Sequence, residues 1–123
     1  MSSYVQFMES AGARVVPLIM GEDWSVNLEK ITKLDGILLP GGSADYKAFA
    51  KQIFDTVKSL NDQGTFYPLW GTCLGFQNLA RSAASGLVIS ALYAENVNLP
   101  LEFIGDPTQT KMFGDLGASV YGF

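Results

Sequence analysis

The segment from residue 68 to residue 77 reads Pro68-Leu69-Trp70-Gly71-Thr72-Cys73-Leu74-Gly75-Phe76-Gln77. A short apolar strand runs into the pattern Gly-x-Cys-x-Gly, and a helical pattern follows. This order is typical of a nucleophile elbow, a sharp turn from strand to helix that exposes one reactive side chain. The segment therefore predicts an α/β fold with Cys73 at the turn.

Histidine is the residue type that such a site needs and that this sequence lacks. A catalytic cysteine generally gives its proton to a histidine, and the composition contains none. Two interpretations stay open at this point. Either the base lies outside these 123 residues, or the site does not catalyse.

The start of a helix is a favourable place for a reactive thiol. Exposed N–H groups and the helix dipole stabilise negative charge there. Gly71 and Gly75 suit a turn that is too tight for larger side chains, and the N–H of Leu74 is expected to form half of an oxyanion hole. The alternative is that Cys73 is a buried small apolar residue, as free cysteines often are. The flanking glycines favour the reactive role.

Length and composition describe one folded domain. The chain has 123 residues, of which 48% are hydrophobic and 16% are charged, and this is enough for a substantial core. The mean hydropathy of +0.19 has two explanations. One is an apolar face that another surface covers, and the other is a parallel sheet whose strands are apolar on both faces.

Several classes of function find no support in the composition. The net charge is −4 and basic residues form no run, which argues against nucleic-acid binding. No apolar stretch approaches the ~20 residues of a membrane helix, and residues 1–4 do not begin a signal peptide. A single cysteine cannot form an internal disulfide, and without histidine it does not suggest a zinc site.

Apolar spacing predicts alternating helices and strands over residues 1–93 and mostly loop over 94–123, all within a single domain. The predicted helices cover 3–11, 23–33, 44–63 and 74–84. The predicted strands cover 14–19, 35–39, 66–70 and 87–93, with one short strand at 99–104. Asp23 or Ser25 is expected to cap the second helix. This order implies a parallel sheet with helices on both faces and a site at the carboxyl ends of its strands.

A second glycine-rich turn, Pro40-Gly41-Gly42-Ser43, follows the strand at 35–39. If that strand neighbours the one at 66–70, the turn lies beside Cys73 and its N–H groups supply a second oxyanion donor. By itself, however, the motif is better explained as a plain turn from strand to helix, with Ser43 or Asp45 as the helix cap.

Other polar and aromatic side chains have weaker claims on a site. Asp45 and Glu95 are able to orient a base, although carboxylates in loops are usually only solvated. Tyr4, Trp24 and Trp70 are able to line a pocket, although aromatic residues at strand ends are more often part of the core. The sequence does not decide between these roles.

Three segments stand out by their order and spacing. They are Ser3-Tyr4-Val5 with Glu9-Ser10-Ala11-Gly12-Ala13-Arg14-Val15-Val16-Pro17, then Asp35-Gly36-Ile37-Leu38-Leu39-Pro40-Gly41-Gly42-Ser43, and then Trp70-Gly71-Thr72-Cys73-Leu74-Gly75-Phe76. Together they resemble the gamma-glutamyl hydrolase family of the class I glutamine amidotransferase-like superfamily. They look like its early helix and strand, its oxyanion strand and its nucleophile segment. The similarity covers residues 3–112 and implies a flavodoxin-like α/β sheet.

The resemblance also implies an activity. This is hydrolysis of gamma-glutamyl amide bonds in folate polyglutamates, small-molecule substrates, through a thioester on Cys73 and with neither cofactor nor metal. It implies that backbone N–H groups of Gly42 and Leu74 form the oxyanion hole and that Gly41 and Gln77 contact the substrate. Members of this family are typically lysosomal or secreted.

The chain departs from the family pattern in three respects. The family begins with an earlier strand, whereas residue 1 here falls inside the helix after it. The family's catalytic histidine and its acidic partner lie in a later segment resembling Gln-x-His-Pro-Glu, which has no counterpart here. Position 77 is Gln, where these hydrolases often have Glu. The chain is therefore expected to be an incomplete domain without its opening strand and its C-terminal half.

Three interpretations follow from the pattern and its departures. The chain is part of a gamma-glutamyl hydrolase-like enzyme that is active only with the missing half. Alternatively, it is a catalytically inactive, degenerate member that serves as a structural subunit of a larger assembly. The third interpretation is an unrelated cysteine hydrolase elbow, for example of the dienelactone hydrolase kind. An apolar face and an open sheet edge further predict a protein partner or a homo-oligomer.

Overall fold

The computed structural model describes residues 2–84, 89–90, 93, 95–98 and 102–114. The chain divides into two compact units, Met1–Ser90 and Ala91–Phe123. The first unit contains α1 (Ser2–Ser10), α2 (Trp24–Ile31), β1 (Ile37–Leu39), α3 (Lys47–Asp62), β2 (Leu69–Gly71) and α4 (Leu74–Ala83). In the second unit, a short 3-10 helix spans Pro107–Gln109, and the Asp106 carboxylate accepts the Thr108 N–H at its start at 2.9 Å.

The strands β1 and β2 form a parallel pair, in register from Ile37 opposite Leu69. Beyond the pair, the Thr72 N–H donates to the Leu39 carbonyl at 3.1 Å. The mixed α/β class is confirmed, and the condition that these two strands are neighbours is met. Because parallel strands run in the same direction, both glycine-rich turns follow the same end of the pair.

The core of the first unit takes residues from α2, α3, β1 and the loop before β2. Its buried apolar members are Ile31, Leu39, Ala50, Ile53, Val57 and Tyr67. The Tyr67 hydroxyl donates to the Ile31 carbonyl at 3.0 Å. Burial raises the pKa of Tyr67, and the Asp35 carboxylate adds to the rise, so the hydroxyl keeps its proton. The helix α4 packs against α3 and against both strands.

The four predicted helices are confirmed to within three residues at each end. Asp23 caps α2 as expected, since its carboxylate accepts the Ser25 N–H at 2.8 Å. The helix α3 begins at Lys47 rather than at residue 44, and neither Ser43 nor Asp45 is its N-cap. The Asp45 carboxylate does accept the Lys47 N–H at 3.3 Å, and this bond supports the first turn.

The predicted strand at 14–19 is wrong, because no strand lies beside this segment in the part of the chain that the structure describes. A strand needs a neighbour for its backbone bonds, and side chains of α2 bind the segment instead. The fully buried Asn27 amide exchanges two hydrogen bonds with the Ile19 backbone, at 3.0 and 2.9 Å. Lys30 donates to the Pro17 carbonyl at 3.3 Å.

The paired segments are shorter than the predicted strands at 35–39 and 66–70. The predicted strand at 87–93 lies mostly outside the described residues. The one at 99–104 lies partly outside them, and its described residues, 102–104, form no strand. Within the described part of the chain, the helices are too short or too polar to cross a membrane.

Candidate active site

Cys73 joins the end of β2 to the start of α4 in a strained backbone conformation. Its φ is +54° and its ψ is −112°, a combination that residues with a side chain rarely adopt and that costs about 1–3 kcal/mol. The residue is exposed, so the alternative of a buried apolar cysteine does not describe this structure. The turn has the strain and the exposure of a nucleophile elbow.

The two glycines around Cys73 are required by close approaches of the backbone. A Cβ on Gly75 would lie 2.1 Å from the Leu39 carbonyl oxygen, and a Cβ on Gly71 would lie 2.6 Å from the Gly75 carbonyl carbon. Both distances are shorter than any real Cβ contact. The Gly-x-Cys-x-Gly pattern therefore lets α4 begin directly against β1, and Cys73 is held at the turn between them.

Several backbone N–H groups around the two turns have no acceptor among the described residues, and two of them are candidates for binding an oxygen atom. One belongs to Leu74, the first residue of α4, and the first N–H groups of a helix have no partner within it. The other belongs to Gly42, whose φ of +137° requires glycine. The N–H of Gly41 differs, because it donates to the Tyr4 hydroxyl at 2.9 Å. Gly42 and Leu74 thus have donors available for a bound oxygen atom.

The Pro40-Gly41-Gly42-Ser43 turn lies directly against Cys73. A Cβ on Gly41 would lie 3.0 Å from the Cys73 Cβ and 2.7 Å from the Tyr4 hydroxyl oxygen. On the other side of the same peptide bond, the Pro40 carbonyl accepts the Tyr46 hydroxyl at 2.5 Å. The expected proximity of the two glycine-rich turns is therefore observed, and two tyrosines accompany it.

Tyr46 and Asn78 are polar residues near the turn that sequence reasoning did not select for a site. Burial raises the pKa of Tyr46, the nearby Asn78 amide lowers it, and Tyr4 and Cys73 add to the rise. Asn78 is only 2% exposed, and neither polar atom of its side chain has a hydrogen-bond partner in the described part of the chain. No local signal marks them, since Tyr46 reads as one apolar member of the helical repeat.

The aromatic residues selected from the sequence do not form one pocket. Trp24 packs edge-to-face on Phe49, with ring centroids 6.0 Å apart, and lines an open cavity of about 480 Å³ together with Asp45. Neither Tyr4 nor Trp70 lines that cavity. Tyr4 is at the Cys73 turn, whereas Trp70 is half exposed.

Gln77 and Glu95, two further residues named from the sequence, occupy different places in the chain. Gln77 is half-buried on α4, and its backbone N–H donates to the Cys73 carbonyl at 3.0 Å. Glu95 belongs to the second unit. The described residues contain no group of three or more His, Cys, Asp or Glu side chains that could hold a metal ion.

Proteins of known family resemble the chain over nearly all of its length. Gamma-glutamyl hydrolase B of Dictyostelium discoideum is 39% identical over an alignment of 119 positions, and the alignment covers 91% of this chain. The gamma-glutamyl hydrolases of Rattus norvegicus and Homo sapiens are both 37% identical over alignments of 120 positions, which cover 94% and 91% of this chain. This chain belongs to the gamma-glutamyl hydrolase family. The resemblance inferred from the three segments is thereby confirmed.

The match covers only part of each relative in the family. The chain spans 34% of the Dictyostelium protein, 38% of the rat protein and 37% of the human protein. The chain corresponds to the N-terminal part of the proteins in this family. No protein-family model matches the chain.

Proposed function

We propose that this chain carries the nucleophile of a gamma-glutamyl hydrolase site. The thiolate of Cys73 attacks the carbonyl carbon of a gamma-glutamyl amide, the carbon–nitrogen bond breaks, and the amine leaves with a proton. Water then hydrolyses the thioester and releases the glutamyl acid. The observation that carries the proposal is the exposed thiol on a backbone with φ of +54°, between two glycines that the backbone contacts require.

The oxyanion formed in the attack is proposed to accept hydrogen bonds from the backbone N–H groups of Gly42 and Leu74. Both donors lack acceptors in the described structure, and an oxyanion hole needs two such groups aimed at one oxygen. Gly41 and Gln77 are proposed to contact the substrate. Gly41 packs against Cys73, whereas the role of Gln77 rests only on its position in the segment after Cys73.

The proton steps require a group that these residues do not supply. The sequence contains no histidine, and cysteine nucleophiles generally depend on one. We therefore propose that a histidine from further polypeptide completes the site. A flavodoxin-like sheet, folate polyglutamates as substrates, and a lysosomal or secreted location belong to the same proposal through the family.

A second candidate function is that of an inactive structural subunit. The absence of histidine favours it, and so do exposed apolar side chains on the first unit, among them Phe7 at 64%, Val16 at 46% and Ile19 at 45% exposure. Such residues are candidates for burial against a partner chain. This candidate and the first one differ in whether Cys73 recognises a gamma-glutamyl group.

Selective acylation of Cys73 tests the first proposal without the missing base. A gamma-glutamyl thiophenyl ester has a leaving group that needs no proton, so the thiolate displaces thiophenolate directly. We expect the 123-residue chain to be acylated faster by this ester than by the matched beta-aspartyl ester, as measured by intact mass. Cys73→Ala is the control for acylation elsewhere. Equal rates for the two esters would favour the structural subunit.

A further inference from the structure

One peptide group beside Cys73 is held at both of its polar atoms. The Pro40 carbonyl accepts the Tyr46 hydroxyl at 2.5 Å, and the Gly41 N–H donates to the Tyr4 hydroxyl at 2.9 Å. These two atoms belong to the same planar peptide unit. Two bonds at its opposite ends therefore fix the direction in which the plane faces.

The two tyrosines come from separate parts of the first unit. Tyr4 belongs to α1, and Tyr46 immediately precedes α3. Their hydroxyls meet the peptide where Gly41 packs against the Cβ of Cys73. The orientation of this peptide is thus tied to two helices rather than to the loop alone.

The protonation of Tyr46 suits its role as a donor. Burial raises the pKa of Tyr46, and the neighbouring Tyr4 and Cys73 add to this rise while the Asn78 amide opposes it. The hydroxyl therefore keeps its proton and donates to the carbonyl. Tyr4 accepts the Gly41 N–H at the other end, so each of the two hydroxyls makes one hydrogen bond to this peptide group.

We propose that Tyr4 and Tyr46 are positioning residues, which hold the Pro40–Gly41 peptide so that the next N–H, that of Gly42, points at the oxyanion formed on attack by Cys73. The inference rests on the proposed function, because it needs an attack of Cys73 on a carbonyl group. The Gly42 N–H has no acceptor among the described residues. Misdirecting it weakens oxyanion stabilisation without touching the thiol.

Two reagents that label Cys73 distinguish a loss of oxyanion stabilisation from a loss of thiol reactivity. A gamma-glutamyl chloromethyl ketone passes through an oxyanion when the thiolate adds to its carbonyl, and chloride then leaves as the thioether forms. Iodoacetamide loses iodide at a saturated carbon and forms no oxyanion. Because Cys73 is the single cysteine, intact mass reports its labelling by either reagent.

The variants Tyr4→Phe and Tyr46→Phe keep both rings and remove one hydroxyl each. Loss of a whole oxyanion donor lowers rates about 10²–10³-fold. A Gly42 N–H that points in the wrong direction should therefore slow the labelling of Cys73 by the chloromethyl ketone about tenfold. The rate of labelling by iodoacetamide should stay unchanged. Tyr93→Phe, at an exposed tyrosine of the second unit, is the matched control and should alter neither rate.

Three results would overturn the positioning role. If labelling by the chloromethyl ketone and by iodoacetamide slowed equally, the tyrosines would have a structural role only. If the rate of labelling by the ketone did not change, the hydrogen bonds of the two hydroxyls would be dispensable. A faster ketone reaction in Tyr4→Phe would mean that Tyr4 blocks the site instead. Failure of the proposed function shows separately, as equal rates of the wild-type chain with gamma-glutamyl and beta-aspartyl chloromethyl ketones.

Discussion

At the scale of single residues, the strained backbone of Cys73 and the glycines around it depend on each other. The left-handed φ of Cys73 is unfavourable by itself, and α4 begins so close to β1 that the conformation is imposed by the surroundings. The same close approach turns the thiol outward, where it is exposed. Packing at Gly71 and Gly75 is therefore the physical origin of the reactive geometry.

Gly75→Ala tests this dependence. The added Cβ would lie 2.1 Å from the Leu39 carbonyl oxygen, so we expect a loss of about 3 kcal/mol in the free energy of unfolding. Gly64→Ala is the control: its φ is +91° but its Cβ meets nothing within 4 Å, and strain alone costs about 1–2 kcal/mol. Chemical denaturation measures both. Equal losses would show that the close approach is not rigid.

The residues of the candidate site differ in how far the sequence revealed them. Cys73, its two glycines and the Leu74 N–H follow from a local pattern, because a strand, a tight turn and a helix are adjacent in the chain. Tyr4 does not, since its bond to Gly41 joins residues 37 positions apart. Such a contact depends on how α1 packs, which no periodicity encodes.

At the scale of elements, helices were predictable and one strand was not. The apolar repeat of α3 is a property of its own sequence, and so its existence follows from its spacing. The segment at 14–19 has the β-branched composition of a strand, but a strand also needs a neighbour, and none lies beside it in the described structure. Composition reports the preference of a residue and not the presence of a partner.

Asn27→Ala tests how the segment at 14–19 is held. The buried amide makes both hydrogen bonds to the Ile19 backbone, and losing the two bonds costs about 2 kcal/mol. We expect faster hydrogen exchange at the Ile19 amide and a lower free energy of unfolding. Asn98→Ala, at an exposed position, should change neither. Unchanged exchange at Ile19 would mean that something else holds the segment.

The cap of α2 predicts a dependence of stability on pH. Hydrogen bonds from the Ser25 hydroxyl and N–H lower the pKa of Asp23. A lowered carboxyl pKa stabilises the fold above the unfolded value of about 3.9, and this contribution is lost as the pH falls through the folded value. Asp23→Asn keeps a capping oxygen that does not titrate.

We therefore compare the thermal midpoints of the wild-type chain and of Asp23→Asn over a range of pH. As the pH is lowered below about 4, the midpoint of the wild-type chain should decrease relative to that of the variant. The other carboxylates titrate in both proteins, so the difference isolates Asp23. A difference between the two midpoints that is constant with pH would exclude this cap as a source of acid sensitivity.

At the scale of the whole molecule, the nucleophile and both candidate oxyanion donors lie in the first unit, Met1–Ser90. The family relatives are much longer, and the chain spans little more than a third of each of the three compared. The sequence contains no histidine. The arrangement thus accounts for attack on a carbonyl and for binding of the oxyanion, but not for the proton transfers that turnover requires.

Cys73 is proposed to attack the carbonyl carbon of gamma-glutamyl groups, in a chain that contains no histidine to act as its base. The most direct measurement follows thiophenol release and intact mass together when the purified chain meets the gamma-glutamyl thiophenyl ester. We predict about one equivalent of thiophenol per chain and a glutamyl adduct that persists on Cys73, because the sequence contains no histidine to activate water. Absence of the adduct, or continued turnover that Cys73→Ala abolishes, would contradict the account.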